Sequence, residues 1–232
     1  MTVGLKTPEA PPLDRWIPYI YFQHEVLRYL EVVSLVGAVT NRLVPHITVT
    51  NEDRAEVARV VPDSDRALVA LHPGAGDPRR RWPAERFAAL GDALVAAGAQ
   101  VVVTGTKSER GTVEAVLSNM CREAYNLTER LSLGGLAGLF ERCRLVISND
   151  SGPLHLACAV GAPTVGIYWC FNMINASQLT RARHRPFVSW QLGCPVCGCN
   201  HAYANCEHEA SFVSDISTEA VMDAALDLYR LS

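Results

Sequence analysis

Short apolar runs alternate with longer amphipathic segments along most of the chain after residue 66. The apolar runs have the length of buried strands and span residues 67–71, 100–104, 145–147 and 164–168. Between them lie three predicted helices, at residues 83–97, 109–119 and 133–142. Repeated βα units with continuously apolar strands predict an α/β fold, a Rossmann-like, doubly wound parallel sheet that helices cover on both faces.

Three further helices are predicted outside this repeat, at residues 19–36, 51–60 and 218–231. Glycine is expected to end three helices of the chain because it adopts a left-handed conformation without penalty, at Gly37, Gly98 and Gly161. Residues 1–12 and 171–193 show no periodic pattern and are expected to be irregular.

The stretch at residues 145–168 is predicted to run strand, tight loop, short helix, strand. Gly152 in the loop is expected to supply a positive φ, and Pro153 suits the first turn of the helix. Free N–H groups and the helix dipole favour a phosphate at such a turn, and Asp150 and His155 lie at its mouth. The alternative interpretation is an ordinary βα turn with a polar rim.

A loop rich in glycine and arginine follows the first apolar run, at residues 72–82. Gly74 and Gly76 allow backbone amides to approach an anion, and Arg80 can cover a diphosphate with a planar fork of donors. The spacing matches neither a P-loop nor a Gly-x-Gly-x-x-Gly fingerprint. A solvated basic loop is the alternative.

Three loops are expected at one edge of the sheet, at residues 72–81, 105–107 and 149–152. Ligands of open parallel sheets bind beyond the carboxyl ends of the strands. The convergence of these loops therefore predicts a single ligand site.

Composition restricts the class of protein. Of the 232 residues, 49% are hydrophobic and 19% are charged, as in a folded globular protein. The net charge of −3 gives no general attraction to nucleic acid, so no nucleic-acid partner is expected. No apolar run approaches the ~20 residues of a transmembrane helix and no signal peptide is recognised, which predicts a cytoplasmic location.

The basic residues 181–185 either face an anionic acceptor or the inner face of the membrane, or form a solvated surface.

Two motifs about 65 residues apart carry a family resemblance. The first is a His72-Pro-Gly loop leading to Arg80-Arg-Trp-Pro, and the second is Asn149-Asp-Ser-Gly-Pro-Leu-His. Together they resemble glycosyltransferase family nine, the family of the lipopolysaccharide heptosyltransferases. The resemblance extends over roughly residues 15–230.

The resemblance implies a GT-B architecture. Residues 1–62 would be the remnant of an amino-terminal acceptor domain with its linker, and residues 63–232 the nucleotide-sugar donor domain with a cysteine-rich tail. It also implies inverting transfer of a sugar, expected to be heptose from ADP-heptose, to a lipopolysaccharide-core-type acceptor. No metal or other cofactor is expected for this transfer.

Seven donor-binding residues follow from the resemblance. Gly74 and Ala75 would approach the donor phosphates, and Arg80 would lie on the diphosphate. Asp150 would bind the donor sugar. The cradle would be completed by the amides of Ser151 and Gly152 and by His155.

The general base of this family lies in the amino-terminal domain, most of which is expected to be missing from this chain. Glu25 and Glu31 are possible substitutes, but a helix explains both more simply, and no catalytic residue is assigned. The alternative function is therefore a non-catalytic donor-binding module or half of a split enzyme. A nucleotide-sugar epimerase is a third reading, which lacks a clear acid/base pair.

Four of the eight cysteines cluster near the carboxyl terminus, with a histidine close by: Cys194, Cys197, Cys199, Cys206 and His208. A Cys-x-x-Cys hook with later ligands is compatible with structural zinc, but the inner loop is shorter than in common zinc ribbons. A zinc site, a disulfide and free thiols all remain open, and no metal ligand is assigned.

Overall fold

The computed structural model describes residues 1–231 of the chain. Within them a small parallel pair precedes a six-stranded parallel sheet. The pair is β1 (Val3–Lys6) and β2 (Arg15–Pro18). The sheet strands are β3 (Leu68–His72), β4 (Gln100–Val103), β5 (Tyr125–Asn126), β6 (Leu145–Asn149), β7 (Thr164–Trp169) and β8 (His184–Ser189).

The sheet has the strand order β5-β4-β3-β6-β7-β8. Counted within the sheet, this is the order 3-2-1-4-5-6 of a doubly wound Rossmann fold, so the predicted fold class is confirmed. The order reverses between β3 and β6, where His72 lies beside Ser148. In such folds the ligand crevice opens at the carboxyl ends of the two strands that flank the reversal.

The helices are α1 (Glu25–Ser34), α2 (Asn51–Val60), α3 (Ala84–Ala96), α4 (Arg110–Asn119), α5 (Leu133–Arg142), α6 (Gly152–Ala159), α7 (Cys170–Ala176) and α8 (Thr218–Leu231). Helix α1 packs on β1, β2 and α7, and the others cover both faces of the six-stranded sheet. Successive residues of β3 point to opposite faces. Val69 and Leu71 pack with α3, α4 and α8, whereas Leu68 and Ala70 pack with α2, α5 and α6. Among the described residues, none of the helices has both the length and the apolar character that crossing a bilayer requires.

Glycines end three helices as predicted, and serine side chains cap the start of two others. Gly37, Gly98 and Gly161 have φ values of 86°, 94° and 83° at the ends of their helices. Ser132 accepts a hydrogen bond from the backbone N–H of Gly135 at 3.0 Å and so caps α5. The hydroxyl of Ser217 accepts one from the N–H of Ala220 at 3.2 Å in the first turn of α8.

The helix predicted at residues 19–36 is shorter than expected, because α1 begins only at Glu25. His24 caps it by accepting a hydrogen bond from the N–H of Val26 at 3.2 Å. The guanidinium of the buried Arg28 donates to three carbonyl groups of the preceding turn, those of Ile20, Tyr21 and Gln23. These hydrogen bonds satisfy the carbonyl groups of the turn, so the turn does not need helical geometry. Hydrophobic periodicity alone does not reveal such bonds.

Two segments that were expected to be irregular contain regular structure. Residues 1–12 include β1, which pairs with β2, so the expectation of a loose start was wrong. Residues 171–193 include most of α7 and all of β8, the edge strand that pairs with β7 along its full length.

Helix α2 lies before the predicted domain boundary at residue 62 but packs on α5. Val57 of α2 is in the same buried cluster as Leu139 and Phe140 of α5. The guanidinium of Arg54 donates to both carboxylate oxygens of Glu141 at 2.8 Å. The covering layer of this face therefore extends upstream of residue 62, and the domain division remains a prediction.

Candidate functional site

Asn149, the last residue of β6, ties the loop after β3 to the crevice. Its side-chain Oδ1 accepts a hydrogen bond from the backbone N–H of Trp82 at 3.0 Å, and its Nδ2 donates to the carbonyl of Pro73 at 2.7 Å. The Asn149 side chain is fully buried. It thus holds both ends of the loop that carries Arg80.

Arg80, Asp150 and His155 come together at the mouth of the crevice. One guanidinium nitrogen of Arg80 lies 3.3 Å from Asp150 Oδ2 and 3.2 Å from the Asp150 carbonyl. His155 Nε2 lies 3.4 Å from Asp150 Oδ1. Asp150 is 2% exposed, whereas the Arg80 and His155 side chains are 24% and 38% exposed. Asp150 is thus the buried member that positions two solvent-facing donors.

The contacts of His155 assign its tautomer. Gln178 Nε2, an amide donor, lies 3.2 Å from His155 Nδ1. Nδ1 must therefore accept, which places the ring proton on Nε2 facing Asp150.

Of the three consecutive arginines in the β3–α3 loop, Arg80 is the one that contacts Asp150. Arg79 donates to the carboxylate of Asp77, with a shortest distance of 2.7 Å. Arg81 donates to the Ala75 carbonyl at 3.0 and 2.8 Å. Local partners thus engage two of the arginines, and the third is directed to the crevice.

Backbone donors without protein acceptors lie in both loops. Among the described residues, no protein acceptor pairs with the N–H groups of Gly74, Ala75, Gly76, Ser151 and Gly152. Gly74 and Ala75 are buried all the same. Since buried N–H groups are nearly always paired, these donors indicate a place for an anion.

Ser151 is the N-cap residue of α6, but its side chain makes no capping hydrogen bond. Its hydroxyl donates instead to the Asn149 carbonyl at 3.2 Å, which leaves the start of the helix uncapped. The sharp turn comes from the extended backbone of Ser151, at φ −158° and ψ 170°. Gly152 is absent from the described glycines with positive φ, so the conformation expected for it was wrong. Pro153 occupies the first turn, as predicted.

Gly74 packs closely against a buried carboxylate. A Cβ at this position would collide with the carboxylate of the buried Glu109, whereas one at Gly76 would meet nothing within 4 Å. Glu109 Oε2 accepts from the N–H and the hydroxyl of Thr106 at 2.8 Å each. Its Oε1 lies 3.8 Å from Nε2 of the buried His72, and burial lowers the pKa of His72 to about 4.

Two clefts border the start of α6 and share Leu133 and Pro153 in their walls. One, of about 450 Å³, is lined by His72, Thr104, Lys107 and Leu136 among others. The other is mostly apolar, has a volume of about 410 Å³ and includes His155 and Gln178. Both volumes lie in the range of small-molecule sites.

A separate cluster of ligand atoms lies in the cysteine-rich segment. One atom from each of Cys194, Cys197, Cys206 and His208 lies within 4.8 Å of the others. In the described residues these are the side chains grouped closely enough to hold a metal ion.

The model for glycosyltransferase family 9 (heptosyltransferase) matches residues 11–185, well over half of the chain. The chain belongs to glycosyltransferase family 9.

Curated relatives are matched over part of their length. This family 9 chain is 33% identical over 110 residues to lipopolysaccharide heptosyltransferase 2 of Salmonella typhimurium, a match that covers 45% of the chain and 32% of that relative.

Solved structures share the fold. A family 9 glycosyltransferase from Veillonella parvula is 26% identical and has a TM-score of 0.76, with 95% of this chain and 64% of that chain covered. The ADP-heptose lps heptosyltransferase II of E. coli is 21% identical and has a TM-score of 0.72. That match covers 90% of this chain and 62% of the E. coli chain.

The seven residues expected from the family 9 resemblance all lie in the two loops that flank the crevice or in the first turn of α6. Sequence reasoning assigned no role to Asn149 or Gln178, which position this site. Asn149 directly precedes Asp150 at a strand end, which is a usable signal. Gln178 lies in a segment without a pattern and gave none.

Proposed function

We propose that this family 9 chain binds a nucleotide-diphosphate sugar, with ADP-heptose as the preferred donor, and transfers the sugar to a lipopolysaccharide-core-type acceptor with inversion. The observation that carries the proposal is the contact of Arg80 with Asp150, which joins two loops that each carry backbone N–H groups without a protein acceptor among the described residues. A diphosphate satisfies such donors and a guanidinium together. ADP-heptose is proposed as the donor because the name of the E. coli neighbour includes it.

In this proposal the amides of Gly74, Ala75, Ser151 and Gly152 bind the diphosphate oxygens and Arg80 covers them. His155 donates a further hydrogen bond from Nε2. The cleft lined by Lys107 takes the nucleoside, since it adjoins the same edge of the sheet.

Asp150 is proposed to bind a sugar hydroxyl with the lone pairs that Arg80 and His155 leave free, since an ionised carboxylate has about four acceptor sites. Its burial and its two partners argue against a role as general base. No residue of this chain is proposed as the base. The proposed location is the cytoplasm, at the inner face of the membrane that carries the acceptor.

Calorimetry with ADP and ADP-heptose, with UDP- and GDP-sugars as controls, tests the donor site. We expect micromolar dissociation constants for the adenine nucleotides, roughly −8 kcal/mol. Arg80→Ala should weaken ADP binding, while Arg59→Ala, an exposed arginine on α2, should not. Absence of binding to every nucleotide contradicts the proposal.

A transfer assay with a lipid A–Kdo acceptor then separates the two functions. Product formation supports the transferase. Donor binding without product supports the donor-binding module or half of a split enzyme.

A further inference from the structure

The segment at residues 190–217 joins β8 to α8 without a helix or strand of its own. Its regular pairing in the described residues is one isolated bridge, between Gly193 and Asn200. Yet Cys194 near its start is 3% exposed and Phe212 near its end is fully buried, so the segment reaches the core at two places. Irregular segments of this length are uncommon inside a compact domain.

Ligand atoms of Cys194, Cys197, Cys206 and His208 all lie within 4.8 Å of one another. In a tetrahedral site with Zn–S bonds of about 2.3 Å, neighbouring sulfurs lie about 3.8 Å apart. The four side chains therefore need to close by no more than about 1 Å per pair to share one ion.

The backbone around Cys194 is arranged to support a thiolate. The chain turns back at Gly198, which has a φ of 72° and donates its N–H to the Cys194 carbonyl at 2.8 Å. The N–H of Val196 donates to Cys194 Sγ at 3.5 Å.

His201 links this cluster to the loop that carries Arg80. His201 Nδ1 lies 3.3 Å from a guanidinium nitrogen of Arg79, which can only donate. The ring proton is therefore on Nε2, which lies 3.2 Å from Cys206 Sγ and donates to it. A hydrogen bond from outside a ligand set helps to orient the ligand atom that accepts it.

We propose that Cys194, Cys197, Cys206 and His208 form a structural Zn²⁺ site that fixes the segment over the loop carrying Arg80. Three thiolates and one imidazole in a closed tetrahedral set are typical of structural zinc. Phe212 donates its N–H to the Arg79 carbonyl at 2.8 Å, and Ser211 donates its hydroxyl to the Arg81 carbonyl at 2.7 Å. The ion thereby restrains the backbone on both sides of Arg80.

Metal analysis of the whole chain, purified under reducing conditions, tests this site independently of nucleotide binding. We expect one equivalent of zinc per chain. Cys197→Ser and Cys206→Ser should reduce it to a small fraction. Two matched variants should keep it: Cys121→Ser, an exposed thiol on another part of the chain, and Cys199→Ser, inside the segment but outside the ligand set.

Cobalt replacement of the wild-type metal covers the case in which ligand variants fail to fold. Intense thiolate-to-cobalt absorption with tetrahedral d–d bands supports the site. Several outcomes overturn it: a folded chain without stoichiometric metal, a disulfide within the cluster, iron in place of zinc, or loss of zinc in Cys199→Ser.

Discussion

The side chain of Asn149 accepts a hydrogen bond from the backbone N–H of Trp82 at 3.0 Å, although 67 positions separate the two residues. The same side chain donates to the Pro73 carbonyl at 2.7 Å. The loop that carries Arg80 is therefore fixed at both ends to the strand that ends beside Asp150. One buried amide sets the distance between the two halves of the proposed diphosphate site.

Asn149→Asp tests this amide with almost no change in shape. The aspartate can still accept from Trp82, but its second oxygen would face the Pro73 carbonyl, which is also an acceptor. We expect the free energy of unfolding to fall by about 1–3 kcal/mol, since a buried acceptor pair replaces a hydrogen bond. Urea titration measures this change. Asn41→Asp, at an exposed position, serves as a surface control, and equal stability of the two variants would contradict the role of Asn149.

Gly74→Ala and Gly76→Ala form a matched pair in one loop. The added methyl group at residue 74 collides with the Glu109 carboxylate, whereas at residue 76 it meets open space. We expect overpacking at residue 74 to cost about 1–3 kcal/mol of unfolding free energy and to weaken ADP binding. The residue 76 variant should stay within about 0.5 kcal/mol of the parent chain. Similar unfolding midpoints for both variants would show that Glu109 can move aside.

Arg80 and Asp150 should be energetically coupled in donor binding because they contact each other at 3.3 Å. In a double-mutant cycle of Arg80→Ala and Asp150→Asn, we expect a coupling free energy for ADP binding of about 0.5–3 kcal/mol. Arg80→Lys should recover part of the affinity but not the forked geometry. Strict additivity, measured by calorimetry, would mean that Asp150 does not position Arg80.

Asp150→Ala should reduce the discrimination between ADP-heptose and ADP more than it reduces the affinity for ADP. The reason is that the carboxylate is the proposed sugar ligand, whereas the amides and Arg80 hold the diphosphate. The ratio of the two dissociation constants, compared with that of the parent chain, measures this loss. An unchanged ratio would remove Asp150 from the sugar site.

His184 predicts a pH dependence of stability. It lies 2.8 Å from the Thr164 hydroxyl and 3.1 Å from that of Tyr168, and burial lowers its pKa from 6.5 to about 4. Between these values the unfolded chain binds the proton and the folded chain does not. Stability from this group is therefore complete above pH 6.5 and is lost as the pH falls toward 4, at up to about 1.4 kcal/mol per pH unit.

Urea unfolding of the parent chain and of His184→Gln at several pH values between 4 and 7 tests whether the free energy of unfolding rises with pH as predicted. The slope of unfolding free energy against pH should be smaller in the variant, whatever its absolute stability. His72, also buried with its pKa lowered to about 4, should supply part of the remaining slope. An unchanged slope in the variant would contradict the assignment to His184.

Much of the architecture could be predicted because its signals are local. Four of the six sheet strands are continuous apolar runs, and glycines end helices at Gly37, Gly98 and Gly161. Parallel strands with helical crossovers place their carboxyl ends at one edge. The sequence therefore predicted that the loops after β3 and β6 share a crevice, although it missed the two-residue β5 and the edge strand β8.

The partners within that crevice are a tertiary property. Three adjacent arginines look alike in sequence, and only packing decides that Arg79 meets Asp77, Arg81 meets Ala75 and Arg80 meets Asp150.

The same holds for the helix that was expected from residue 19 and begins at Glu25. Arg28 forms side-chain bonds to the carbonyls of the preceding turn that compete with helical ones. Periodicity reports which face of a segment is apolar, and so determined the layers of this protein. Hydrogen bonds between side chains and distant backbone depend on positions that all the layers fix together, and only the tertiary structure decided them.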